Sequence, residues 1–206
     1  MTSNDRLIIF ARNADHSQVK KHLESALGAE QATIAFHKMQ LYTKEVCKRL
    51  NCQKAVYYSE HIDNNDLWDN MIFDKYLQTG GDHIERMQNA FAQAFADGMN
   101  RVVIIGTHCL ELETYMIKEA FAVLENNDVV LGPSRNGGYY LLGMSKFFPT
   151  LFENKSWTSK DLLMDTILDL KRMNSRYYLM KTLRTISNAD DLNQLDKIQE
   201  KPEDWF

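Results

Sequence analysis

Cysteine and proline are scarce in this chain, three of each in 206 residues, and glycine is held to nine. Cys47, Cys52 and Cys109 are odd in number and lack the paired spacing of a structural metal site. A disulfide framework is therefore excluded, and the thiols read as reduced packing residues. So little proline and glycine leaves no linker, and no repeat or low-complexity stretch interrupts the chain, so residues 1–206 read as a single domain. Long hydrophobic runs are lacking too. Val102–Ile105 is typical of the longest, far short of the roughly 20 residues of a membrane-spanning helix. Residues Met1 to Arg6 lack the basic segment and apolar stretch of a secretory leader, and a cytoplasmic location is expected. Basic residues are not in excess: 24 Lys and Arg stand against 28 Asp and Glu, for a net charge of -4. No basic patch emerges that suits a phosphate backbone, so a nucleic-acid partner is not expected.

What is present is enough apolar material for a core, 44% hydrophobic and 11% aromatic residues, arranged in alternating strand and helix patterns. Leu7–Phe10 is a short unbroken apolar run of the kind buried on both faces in a parallel sheet. Helical spacing follows from Glu30 to Leu50, then a strand at Ala55–Tyr58. The clearest helix begins after Gly80-Gly81, with Asp82 as cap, Glu85 three residues on, and a stripe of Ile84, Met87, Phe91 and Phe95 that Gly98 ends. Arg101–Gly106 is a β-branched strand, Glu113–Leu124 a helix, and Asp128–Leu131 and Tyr139–Leu142 further strands. A helix is expected from Thr158 or Ser159, a last strand over Tyr177–Leu183, and a helix over Asp190–Gln199. This alternation predicts a three-layer α/β/α fold with a mostly parallel central sheet.

In such sheets ligands sit beyond the carboxyl ends of the strands. That rule nominates four loops: Ala11 to Lys21, Ser59 to Asn65, Thr107 to Glu113 and Gly132 to Gly138. Asn136-Gly137-Gly138 supports two readings. As structure it is a hairpin-like turn in which glycine supplies a positive φ; as function, paired glycines let a sugar or phosphate approach the backbone. Thr107-His108-Cys109 invites a metal reading, but no other histidine completes a ligand pattern. The plainer reading is a polar residue at a strand end beside a buried thiol. A His108/Cys109 nucleophile pair is disfavoured, because adjacent residues on a strand project to opposite faces.

Taken in order, Leu7–Arg12, Val19-Lys20 with Leu23 and Ala26–Gly28, Glu85–Met87, Ile104–Thr107, Asp128–Pro133, Gly137–Leu141, and Leu151-Phe152 with Trp157 resemble one family. It is the bacterial glycosyltransferase-like group labelled radical-SAM-associated transferases, similar to nucleotide-diphospho-sugar transferases of the A-type fold. The resemblance covers nearly the whole chain. It implies that Arg12 and Lys20, helped by Lys21 or His22, contact the phosphates of a nucleotide sugar. It further implies that Arg135, Gly137, Gly138 and Tyr139 cradle the sugar or a small-molecule acceptor, and that Mg²⁺ or Mn²⁺ neutralises the leaving diphosphate.

The chain departs from that pattern where the pattern is acidic. Ser17–Leu23 keeps Lys20 but has Lys21 and His22 where threonine and arginine are usual. His108 replaces the metal-binding aspartate in Gly106–Leu110, Asn136 replaces the aspartate of the glycine loop, and Thr185-Ile-Ser187 lacks both acids of a late Asp-Val-Asp. Imidazole can ligate Mn²⁺ but brings no negative charge, and an amide cannot act as a base. His108 is thus the candidate metal or diphosphate contact, any Mn²⁺ or Mg²⁺ is expected to bind weakly, and His108 and Asn136 are the candidate catalytic positions. Two functions are compatible with these residues: a nucleotide-sugar transferase with an altered metal site, and a catalytically silent homologue that binds a ligand or partner.

Overall fold

The computed structural model describes residues 4–13, 23–25, 27–155, 159–186 and 191. Strand β1, Asp5–Ala11, is buried at every position, as its unbroken apolar run predicts for a strand covered on both faces. It is followed by α1 (Ala29–Lys48), β2 (Gln53–Tyr58), β3 (Asp74–Leu77), α2 (His83–Ala96), β4 (Arg101–Gly106) and α3 (Thr114–Val123). The later elements are β5 (Val129–Pro133), β6 (Tyr139–Met144), a 3-10 turn at Pro149–Phe152, α4 (Leu162–Arg172) and β7 (Tyr177–Leu179).

One seven-stranded sheet runs in the order β3-β2-β1-β4-β6-β5-β7. β1 pairs in parallel with β2 and β4, β2 with β3, and β5 with β7, while β6 is antiparallel to both neighbours. Alternation of side chains along the strands builds two cores. Leu7, Ile9, Val103 and Ile105 pack against the buried faces of α1 and α3. Ile8, Phe10, Ile104 and Leu131 pack against α2, α4 and the 3-10 turn. The three-layer α/β/α architecture and the mostly parallel sheet are as expected.

The strand at β3 was not foreseen. Its residues Asp74-Lys-Tyr-Leu77 are exposed or half-buried at the sheet edge, where no hydrophobic run is needed to form a ladder. α4 begins at Leu162 rather than at Thr158 or Ser159. Thr158 lies outside the described residues, and the Ser159 hydroxyl accepts the Asp161 N–H at 3.1 Å, a local turn that competes with helix at this point. β7 ends at Leu179, after which the chain keeps beside β5 through single hydrogen bonds, Met180 N to Leu131 O at 2.9 Å and Leu183 N to Pro133 O at 3.0 Å. The helix expected over Asp190–Gln199 falls almost entirely outside the described residues. No helix among those described is long and apolar enough to cross a membrane.

Candidate functional site

Parallel pairing places the carboxyl ends of β1, β2 and β4 side by side. Phe10 pairs with Gly106, and Ala11 with Tyr58, so Arg12 and His108 each extend two residues past a matched pair on adjacent strands. Both share the strand parity of Phe10 and Ile104, which face α2. The first turn of α2 delivers His83 and Arg86 to the same face.

This corner is held by side chains that bond backbone. The Asn13 amide oxygen accepts from Glu60 N at 3.0 Å and Ser59 Oγ at 3.3 Å, and its nitrogen donates to His61 O at 3.0 Å. Asn13 therefore locks the β1 loop to the β2 loop. Buried Gln78 donates to Tyr57 O at 2.8 Å and Ala11 O at 3.3 Å. At the start of α2, Asp82 accepts Glu85 N at 2.9 Å while Glu85 Oε2 accepts Gly81 N at 2.7 Å, a reciprocal cap that occupies both acids. Arg86 donates from Nε to Gly80 O at 3.1 Å and from a terminal nitrogen to Ser59 O at 3.2 Å. Gly80 takes φ +136°, and a Cβ there would lie 2.8 Å from Arg86 N, so only glycine lets the chain pass this close.

Arg12 and Arg86 act on the titratable groups of the corner. Burial, and then the charge of Arg86, lower the Arg12 pKa. Neither guanidinium is paired with a carboxylate among the described residues; Arg86 contacts two carbonyls, and Arg12 is exposed. The His83 ring meets Phe10 edge-on with centroids 5.8 Å apart. Its pKa falls to about 4 through burial, then the charges of Arg12, His108 and Arg86, against a small opposing effect of Asp82. His108 is likewise lowered to about 4, by burial and then Arg12. Its ring lies over Gly106, where an added Cβ would be 2.6 Å from Cε1. Both imidazoles are neutral at pH 7.

Across the sheet, beyond β5, the surroundings are neutral. Ser134 Oγ donates to Asn136 Oδ1 at 2.5 Å and lies 2.9 Å from Thr185 Oγ1, to which Asn136 Nδ2 donates at 3.3 Å. Asn136 and Thr185 are both positions where the resemblance calls for aspartate, and the fold brings them into contact. Two carboxylates could not make this network without a proton or cation between them. The adjoining Ile186 N donates to His108 O at 2.8 Å, which ties this segment to the β4 loop.

The remaining sequence candidates separate. Gly137 takes φ +93°, and a Cβ there would lie 2.3 Å from Lys160 O, so this glycine lets the β5–β6 turn pack on the start of α4. Ser134 N to Gly138 O at 2.8 Å and Gly137 N to Ser134 O at 3.0 Å close the turn. A Cβ on Gly138 would meet nothing nearer than Asn136 Oδ1 at 3.8 Å, so its freedom is not used for close packing. The Tyr139 hydroxyl donates to Leu162 O at 3.2 Å and bonds Thr166 Oγ1, so it is engaged with α4. Arg135 is exposed and its N–H bonds Leu183 O at 3.0 Å. Lys20, Lys21 and His22 lie outside the described residues. The three thiols are unpaired, as expected. Burial pushes Cys109 up to about 12 and Cys52 to about 11, and Cys109 donates to Arg184 O at 3.5 Å, away from the His108 ring.

His83, Arg86, Asn13 and Gln78 were not among the sequence candidates. The signal for His83 and Arg86 was available: they occupy the first turn of the helix whose cap is the plainest in the chain, and α2 follows the loop after β2. Asn13 and Gln78 carry no such signal, since each acts through a contact with a residue distant in sequence.

A family described as "Uncharacterized protein conserved in bacteria", DUF2064, matches residues 42–159. The chain belongs to that family. No curated protein matches this DUF2064 chain in sequence. Among solved structures it is similar to a protein of Desulfovibrio desulfuricans G20 with the provisional label of nucleotide-diphospho-sugar transferase. The TM-score is 0.85 at 23% identity, over 98% of this chain and 90% of that one. A cytidylyltransferase of Leptospira borgpetersenii matches at TM-score 0.59 and 13% identity, over 99% and 90%. A CMP:2-keto-3-deoxy-manno-octonic acid synthetase solved with CTP matches at 0.57 and 8%, over 97% and 100%. The fold of the DUF2064 chain is thus that of nucleotide-sugar and nucleotidyl transferases.

Proposed function

We propose that the chain is a nucleotide-diphospho-sugar-dependent glycosyltransferase whose crevice at the ends of β1, β2 and β4 takes the diphosphate. The observation that carries this reading is the pair Arg12 and Arg86, two guanidinium groups beside one another without carboxylate partners among the described residues. Leaving like charges together is costly in the free protein and favourable once an anion of charge near -2 enters. In the reaction the anomeric C–O bond of the donor breaks, the nucleoside diphosphate leaves with the electron pair, and a bond forms to the acceptor oxygen as that hydroxyl loses its proton. Fixed cations at the leaving phosphates stabilise the charge that develops there. Lys20, Lys21 and His22 are proposed to extend the phosphate contacts, and Arg135, Gly138 and Asn136 to face the sugar or the unidentified acceptor. The radical-SAM-associated grouping and a cytoplasmic location belong to the same proposal.

The closed Ser134–Asn136–Thr185 network favours a second reading, a homologue that binds the same ligand without turning it over. Calorimetry and thermal shift with UDP-, GDP- and CDP-sugars, followed by an assay for sugar transfer or donor hydrolysis, test both. Binding with turnover supports the transferase, binding without turnover supports the silent homologue, and no binding by any donor rejects both.

A further inference from the structure

The A-type resemblance implies a divalent cation at the diphosphate, and the donor set that the described residues offer there does not fit one. A hard cation of this class takes oxygen ligands, with carboxylates supplying the charge. His108 stands where the carboxylate is called for, its neutral imidazole brings no negative charge, and the charge of nearby Arg12 repels a cation. Ser134, Asn136 and Thr185 offer neutral oxygens already spent on one another. Asp82 and Glu85, at the start of α2, each accept a backbone N–H of the helix cap. Among the described residues no group of three or more histidine, cysteine, aspartate or glutamate side chains is arranged to hold a metal ion.

We infer that this protein binds the diphosphate of its ligand without a divalent cation, with the guanidinium groups of Arg12 and Arg86 standing where the metal's charge would act. The inference rests on the transferase-type reading of the crevice and changes how that crevice works. Two guanidinium groups supply the charge of one divalent ion. Arg86 is held by Gly80 O and Ser59 O, while Arg12 follows directly on β1, with its own carbonyl accepting from Gln40 Nε2 at 3.0 Å. Guanidinium is suited to this task because its planar donors match phosphate oxygens in pairs.

The test is calorimetric titration of the full-length protein with inorganic pyrophosphate, once in EDTA and once in Mn²⁺, with direct Mn²⁺ binding followed by electron paramagnetic resonance. The expected result is binding in EDTA, tightened no more than about twofold by Mn²⁺. A charge-assisted contact of the usual strength further predicts weakening of about tenfold or more in Arg12→Gln. Arg12 is exposed, so that variant should fold; Arg86→Lys, which keeps a charge but loses the fork, should weaken binding less than Arg12→Gln. Binding only when Mn²⁺ is present would overturn the inference and leave the transferase-type reading standing. Binding in EDTA that is unchanged in both arginine variants would overturn it as well. Absence of pyrophosphate binding under either condition, together with no binding of any nucleotide sugar, would remove both.

Discussion

The two ends of the same strands treat arginine in opposite ways. At the amino ends, Arg101 forks onto Asp5 at 2.6 and 2.8 Å and reaches Glu125 at 2.8 Å, and Arg6 meets Asp97 at 2.6 Å and Gln53 at 3.0 Å. At the carboxyl ends, Arg86 bonds the carbonyls of Gly80 and Ser59 and Arg12 is exposed, and neither meets a carboxylate among the described residues. The first pattern compensates buried charge and contributes stability; the second leaves two like charges acting on one another. Burial and hydrogen bonding explain the pKa directions at both ends. The Asp5 hydrogen bond raises Arg101 and the Arg6 hydrogen bond lowers Asp97, while burial followed by neighbouring cations lowers Arg12, His83 and His108.

The largest effect is expected at the paired end. Asp5→Ala leaves Arg101 without its fork partner and should cost about 3 kcal/mol in urea denaturation, with pyrophosphate binding unchanged when measured well below the new melting temperature. A loss under about 1 kcal/mol would mean that solvent already screens this pair. Acid should next separate the two ends by pH. His83 and His108 are held neutral in the fold, whereas the unfolded chain takes up their protons below about pH 6.5. Stability from this source is therefore complete above about 6.5 and is lost as pH falls towards about 4. Asp97 is lowered instead, so its contribution persists through that window and disappears only as pH falls below the ordinary aspartate range. His83→Gln should flatten the fall between pH 6.5 and 4, and an unaltered slope would contradict the assignment.

A smaller effect is expected from Gly106→Ala. The added methyl must displace the His108 ring, which can swing, so the cost should be about 1 kcal/mol, accompanied by a shift of the His108 imidazole resonances in NMR. The smallest stability change belongs to Arg12→Gln. Removing one of two like charges should alter the unfolding free energy by less than about 0.5 kcal/mol. A cost as large as that of Asp5→Ala would show that both ends serve stability and would erase the contrast.

Much of the fold was legible because its strands are buried on both faces. Leu7–Phe10 and Val102–Ile105 leave no amphipathic alternative, and the Asp82/Glu85 cap marks its helix within one residue. The edge strand Asp74–Leu77 was not legible, because a strand with one neighbour needs no apolar pattern. The site was legible as loops and less so as residues. Strand register brings Arg12 and His108, both named from the sequence, to the ends of adjacent strands. Gly137 and Tyr139, conspicuous in sequence, are committed to α4. His83 and Arg86 went unnoticed although the helix cap beside them was plain, since the strand order that brings this first turn to the end of β1 is not a local property.

By itself, then, the sequence determined the layered α/β architecture and most of the strands and helices that build it. Hydrophobic periodicity, capping and residue chemistry are local properties, and each can be read along the chain. Tertiary structure alone decided that Asn136 and Thr185 share one hydrogen-bond network and that Arg12 and Arg86 share one corner. Such pairings depend on strand order and register, which bring residues dozens of positions apart within reach.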